Sequence, residues 1–321
     1  LNNLINFARH LPVRAPVSTA SYSTVALSAP SRGLPLQLRV TAPVNGDVLP
    51  IILLSHGHGP SLYLPSKDGY APLAGFYAEQ GFVVIQPTHA NSKVAGLPAG
   101  SPGAPLFLRS RATDFSLVLD QLPDIQAQVP HLAGRLDTAR IAVVGHSLGG
   151  MTASMLLGAR IPDITSPGNT FLDFFEPRLK AGVILAGPGH GDGLSEMAAR
   201  SYPELHPDFT HMRTPTMVVT GEHDVSPHMT VRGADWHADP YHLSPGATTL
   251  LTLTGGRHGL GGISGYDAKE ADDEDPDRLA TTQRMTAAWL RSALYEGDEM
   301  WHAAAEALRS DAPTLGNIET K

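Results

Sequence analysis

Along the chain, short runs of continuous apolar residues alternate with stretches whose apolar positions fall at helical spacing, and Pro or Gly separates most of them. In the first third, Tyr22 to Leu27 and Leu34 to Thr41 read as strands broken by Pro and Gly, which predicts an antiparallel lead-in. Leu49 to Ser55 (LPIILLS) is apolar almost throughout, as a strand buried on both faces must be, and it runs directly into His56-Gly57-His58-Gly59. A helix over Tyr70 to Gln80 then stops at Gly81 and leads into a strand from Phe82 to Gln86, closed by Pro87. Phe115, Val118, Leu119 and Leu122 lie on one helical face within Arg109 to Leu122, and Ile141 to Val144 is the next buried strand.

The alternation continues through a helix at Met151 to Ala159 and strands at Ala181 to Ala186, Thr216 to Thr220 and Thr248 to Thr254. Helices at Asp277 to Tyr295 and Glu299 to Arg309 follow. This order predicts an α/β fold: a doubly wound, mostly parallel sheet of about eight strands with helices on both faces. No repeat or linker divides the chain, so one domain is expected over residues 1–321. Within it, residues 1–33 are a lead-in, 160–180 a cap-like insertion and 296–321 a helical extension. Function in such a sheet belongs at the carboxyl ends of the strands.

Composition narrows the chemistry. With no cysteine among 321 residues, a disulfide framework, a thiolate nucleophile and Cys-ligated metal are all excluded. The net charge of −8 (23 basic against 31 acidic residues) and the lack of a basic cluster argue against a nucleic-acid partner. No apolar run approaches the roughly 18 residues of a membrane span, so a soluble protein is expected. Leu1 to Val17 lacks the apolar core of a signal peptide, but this does not fix the compartment: the cytoplasm is slightly favoured, and secretion stays open if a leader was removed before Leu1. The sequence is silent on oligomeric state.

The most informative motif is Gly145-His146-Ser147-Leu148-Gly149-Gly150, directly after the strand IAVV and directly before a helix. It matches the G-x-S-x-G nucleophile elbow in its strand–turn–helix context. A serine on so sharp a turn is exposed above the sheet, and only glycine two residues to either side lets strand and helix approach. A phosphate-binding turn would need G-x-G-x-x-G or a Gly-Lys-Ser/Thr, and neither is present.

With these residues in view the chain resembles the α/β-hydrolase superfamily. More narrowly it is similar to the serine esterase branch of platelet-activating-factor-acetylhydrolase-like, chlorophyllase-like and dienelactone-hydrolase-related polyester-degrading proteins. The resemblance runs from about Leu34 to Leu294 and rests on LPIILLSHGHG, GFVVIQPTH, RIAVVGHSLGG, PTMVVTGEHD and GGRHG. Leu148 departs from the aromatic, Met or Arg residue several members carry after the serine, and the absence of cysteine excludes true dienelactone-hydrolase thiol chemistry.

The resemblance implies the chain order Ser, acid, His, and so assigns His258, in Gly255-Gly256-Arg257-His258-Gly259 after the last parallel strand, as the base for Ser147. Asp224, in Thr220-Gly221-Glu222-His223-Asp224, is the expected orienting acid, and Asp192, one strand earlier, is its rival. Two N–H donors are expected to receive the oxyanion: that of Leu148 at the helix start and, by resemblance, that of His58, whose ring could instead meet substrate. His146 and His56 are read as structural.

Other features carry plainer readings. The acidic run Asp267 to Asp277 lacks calcium-loop spacing and reads as a solvated loop. The pairs His206/His211 and His237/His242 lack companions that would make them zinc ligands, Met151 and Met155 read as core, and Arg109 and Arg111 as partners in surface ion pairs. No metal and no cofactor is expected. Phe171, Phe174 and Phe175, between Arg160 and Pro177, are expected to shape access to Ser147, with an outer packed helix as the alternative.

These readings converge on a cofactor-independent serine hydrolase whose partner is a small-molecule ester, with the apolar stretch Leu97 to Leu108 hinting at a lipophilic one. Amide, lactone or thioester cleavage and acyl transfer share the same machinery. A non-catalytic receptor on this fold usually lacks a triad member, whereas all three candidates stand here.

Overall fold

The computed structural model describes residues 5–98, 100–168, 170–265, 271 and 273–321. Of the acidic run, residues 267–270 and 272 therefore lie outside the described residues, as do residue 99 in the Leu97 to Leu108 stretch and residue 169 in the insertion.

The elements are, in chain order, β1 (Thr19–Leu27), β2 (Leu36–Pro43), β3 (Leu49–Ser55), α1 (Ala71–Glu79), β4 (Val83–Pro87), α2 (Leu108–Asp120), α3 (Leu122–Gln128), β5 (Leu136–His146) and α4 (Leu148–Leu156). There follow β6 (Ile161–Pro162), β7 (Phe171–Leu172), β8 (Leu179–Leu185), α5 (Glu196–Ser201), β9 (Thr216–Gly221), α6 (Asp239–Leu243), β10 (Ala247–Leu253), α7 (Pro276–Leu294), α8 (Met300–Asp311) and β11 (Gly316–Thr320).

Nine strands form one sheet in the order β1-β2-β4-β3-β5-β8-β9-β10-β11, and β6 and β7 form a separate small hairpin. The six strands from β4 to β10 run parallel, so the segments that leave their carboxyl ends meet along one edge. β1, β2 and β11 pair antiparallel to their neighbours. The sheet exceeds the expected eight strands by β11, which lies where the sequence reading carried a helical extension to the end of the chain. Only Ile318 among Gly316–Thr320 is a large apolar residue, so helical and strand patterns are equally weak there, and pairing with the open edge of β10 decides the outcome.

Period-two alternation divides the core between the two faces of the sheet. Ile51, Leu53 and Val143 point into one cluster with the apolar faces of α2, α3 and α4. Ile52, Leu54 and Val144 point into the other with α1, α7 and α8. Local chemistry sets the helix starts: Asp275 accepts the Arg278 N–H at 2.8 Å and Pro276 occupies the first turn of α7.

Two plain readings change here. Asp273 is not a solvated acid: it is buried, pairs with Arg278 at 2.7 Å and accepts the N–H groups of Arg257 and Gly261 at 2.9 and 3.0 Å, fastening the loop on either side of His258. Arg111 is likewise fully buried rather than part of a surface pair.

Candidate active site

Ser147 stands between the end of β5 and the first residue of α4 with φ 55° and ψ −123°, a conformation unfavourable for a residue bearing a Cβ. The turn is this tight because its flanking glycines are compressed. A Cβ on Gly145 would sit 1.9 Å from the Gly149 carbonyl oxygen, and one on Gly149 would sit 2.1 Å from the Ser55 carbonyl oxygen. Ser147 is held by its own N–H, which donates to the Leu185 carbonyl at 2.9 Å, and its carbonyl accepts the Gly150 N–H at 2.8 Å.

Asp224, three residues beyond β9, is buried and accepts from His258 Nδ1 at 3.0 and 3.1 Å. Burial pushes the Asp224 carboxyl upward, but the imidazoles of His237 and His258 outweigh it and hold the group well below the usual carboxylate range. Asp192, the rival acid, is elsewhere: its strongly exposed side chain lies beside His190 and His206. The structure thus brings Asp224, not Asp192, to His258.

Ser147, Leu148, His58 and His258 open on one cavity of about 360 Å³. Its walls are mainly apolar, including Leu106, Ala186, Leu205, Met229 and Trp236. Leu148 contributes the first N–H of α4, one of those with no acceptor inside the helix. The ring of His58 is exposed and its Nδ1 lies 3.2 Å from Asn91 Nδ2.

The insertion does not supply the expected wall. Phe171, Phe174 and Phe175 are all absent from the cavity lining; Phe171 and Phe175 are about half exposed and Phe174 packs on the outer core cluster. The segment leaves the C-terminal end of α4, whose nine residues carry it roughly 13 Å from Ser147, and re-enters at the amino end of β8. The cavity is walled instead by the loops around Leu106, after β8 and after β9.

Hydrogen-bond logic fixes the role of His146. Its Nε2 donates to the His258 carbonyl at 2.7 Å, so Nδ1 accepts from the Tyr70 hydroxyl at 2.7 Å, which in turn accepts the Gly57 N–H at 3.1 Å. Burial lowers its pKa to about 3, so the ring is neutral and both nitrogens are committed. This chain joins the His58 loop to the His258 loop beneath Ser147, consistent with the structural reading of His146. His56 is also buried: its Nδ1 donates to the Gly57 carbonyl at 2.7 Å and its Nε2 accepts the His89 N–H at 3.0 Å.

A second Ser–His–Asp chain lies deeper. Ser55 Oγ is 3.1 Å from His89 Nε2, and His89 Nδ1 donates to Asp114 at 2.8 Å. All three side chains are buried, and Arg111 donates to the Ser55 hydroxyl at 3.1 Å, so no substrate reaches this serine. Arg111 also donates to Thr152 Oγ1 on α4 at 2.8 Å, to Asn91 Oδ1 and to the His56 carbonyl, tying the elbow helix to the His58 loop.

Sequence reasoning missed Trp236 and weighed His237 only as a metal ligand with His242; both residues lie in the short helical turn Ala234–Ala238. Both are buried and both line the cavity, and His237 Nε2 lies 3.4 Å from Asp224 Oδ1. The local sequence Asp235-Trp236-His237 offers no spacing signal that would have identified them. No protein-family model matches the chain, and no curated protein matches it.

Proposed function

We propose that this chain is a serine hydrolase of carboxylic esters built on the α/β-hydrolase fold. The observation that carries the reading is the pairing of a serine in a strained strand-to-helix turn with a His258–Asp224 couple opening on the same cavity. The three residues follow the ends of β5, β9 and β10 in the order Ser, Asp, His, as in that fold. The buried Ser55 chain shows why access matters as much as hydrogen bonding.

In this mechanism Ser147 Oγ attacks the acyl carbon while His258 Nε2 takes its proton. Asp224 receives the Nδ1–H and stabilises the imidazolium that forms. The N–H groups of Leu148 and His58 receive the oxyanion, with the N-terminal dipole of α4 adding positive potential. The intermediate collapses as His258 returns the proton to the leaving alkoxide. A water molecule, deprotonated by His258, then releases the acid and restores Ser147. The apolar walls favour a neutral substrate with a lipophilic acyl or alcohol group, and the volume restricts the part that enters to a moderate size.

A fluorophosphonate probe should label Ser147 stoichiometrically, and Ser147→Ala should abolish labelling and lower turnover of a short p-nitrophenyl ester by about three orders of magnitude or more. A folded Ser147→Ala protein with wild-type turnover would overturn the reading.

A further inference from the structure

Outside the cavity, a second group of metal-ligating side chains converges where the loop after β8 meets the segment after α5. We propose that His190, Asp192 and His206 form a divalent transition-metal site suited to Zn²⁺. One donor atom from each residue lies within 4.8 Å of the other two. His190 Nδ1 is 3.4 Å from Asp192 Oδ2, His206 Nε2 is 3.9 Å from Asp192 Oδ1, and the two imidazole centroids are 4.5 Å apart.

The backbone is built to hold this arrangement. In Gly189-His190-Gly191-Asp192, a Cβ on Gly191 would lie 1.9 Å from His206 Nδ1, so only glycine lets the second imidazole pack down on the loop. A Cβ on Gly189 would lie 2.1 Å from the Trp236 carbonyl oxygen. The backbone of His190 is pinned on both sides: its N–H donates to Asp239 at 2.8 Å and its carbonyl accepts from Trp236 Nε1 at 3.0 Å. Asp239 is in turn paired with Arg232 at 2.8 Å.

The donor set suits a transition metal. The contacts that hold His190 Nδ1 are loose, with the Asp192 N–H and Asp192 Oδ2 each at 3.4 Å, so a metal ion can displace them and take the ring nitrogen and the carboxylate together. Tetrahedral zinc with bonds of about 2.0–2.1 Å to imidazole and carboxylate places its donors about 3.4 Å apart, so modest side-chain closure completes the geometry. Two nitrogens and one carboxylate favour zinc over calcium or magnesium, which require oxygen donors, and the exposed side leaves the fourth position to water. Bound metal would tie together two segments that contribute Pro188, Tyr202 and Leu205 to the cavity wall, making it a clamp on the rim rather than a participant in ester chemistry.

The test uses the full chain after chelator treatment, titrated with ZnCl₂ in equilibrium dialysis and followed by thermal melting. One zinc per chain should bind with a dissociation constant in the micromolar range or tighter, raising the melting midpoint by a few degrees, and millimolar CaCl₂ should not compete. His206→Ala and Asp192→Ala, both on exposed side chains, should each weaken binding at least about tenfold and remove the thermal shift. His242→Ala, at an exposed histidine of α6 outside this group, should leave zinc binding intact. Absence of stoichiometric binding up to about a hundred micromolar zinc, binding unaffected by His206→Ala, or binding lost in a folded His242→Ala protein would each overturn the proposal. None of these measurements depends on hydrolytic activity.

Discussion

His237 Nε2 faces Asp224 Oδ1 across 3.4 Å of buried space without an aligned hydrogen bond, while its Nδ1 donates to the Gly187 carbonyl at 2.9 Å. Asp224 is thus flanked by two imidazoles that both line the cavity: His258 opens on it with Ser147, and His237 also anchors the segment after β9 to the loop after β8. Removing the second should loosen the acid without removing it. His237→Ala is expected to lower kcat about tenfold with little change in KM and to destabilise the fold by about 1–3 kcal/mol, because the Gly187 carbonyl loses its donor. Steady-state kinetics with active-site titration, together with urea unfolding, checks both effects; wild-type kcat in a destabilised protein would reduce His237 to packing.

Asp224 and Asp192 separate sharply. The Asp224 carboxylate fixes the His258 tautomer through Nδ1, so Asp224→Asn should lose about four orders of magnitude in kcat, as the equivalent change does in a serine protease. Asp192→Asn, on an exposed side chain that does not meet His258, should keep at least about a tenth of wild-type turnover. The reverse ranking, in proteins of matched melting temperature, would place the acid on the earlier loop.

The parts of the site legible in the sequence are those that local geometry dictates. Gly145 and Gly149 announce the elbow because no other residue fits within about 2 Å of the neighbouring backbone, and the loops holding Asp224 and His258 follow recognisable buried strands. What escaped depends on contacts distant in the chain. Arg111 reads as a surface charge because its burial comes from the packing of α2 against α4, which no local pattern records. The phenylalanines of the insertion look like a pocket wall in one dimension, yet α4 carries their segment to the opposite end of the sheet.

Glycine substitutions distinguish close approach from simple flexibility. An alanine Cβ at Gly149 would strike the Ser55 carbonyl, so Gly149→Ala should either displace α4 or fail to fold, with activity falling by more than a hundredfold. Gly75, inside α1, has open space around its position and an ordinary backbone conformation. Gly75→Ala should therefore stabilise the protein by about 0.5–1 kcal/mol with unchanged activity, since alanine loses less backbone entropy in a helix. Urea midpoints decide both; a stabilising Gly149→Ala would contradict the described packing.

The buried histidines set the acid limit of stability. His146, with its pKa lowered to about 3 chiefly by burial, stays neutral in the fold while the unfolded chain takes up a proton near the ordinary value of about 6.5. Between those values the unfolded state binds more protons, so stability rises with pH through this window and is lost as pH falls from about 6.5 toward 3. Burial lowers His56 and His89 in the same direction, so the three effects add. Gln in place of His146 can still accept from Tyr70 and donate to the His258 carbonyl, but it cannot titrate. His146→Gln should therefore flatten the dependence of unfolding free energy on pH between about 4 and 6 by up to one proton, or about 1.4 kcal/mol per pH unit, leaving the contributions of His56 and His89. Urea unfolding of both proteins across that range measures the difference; parallel curves would mean that His146 is protonated in the native state and that the hydrogen-bond assignment beneath Ser147 is wrong.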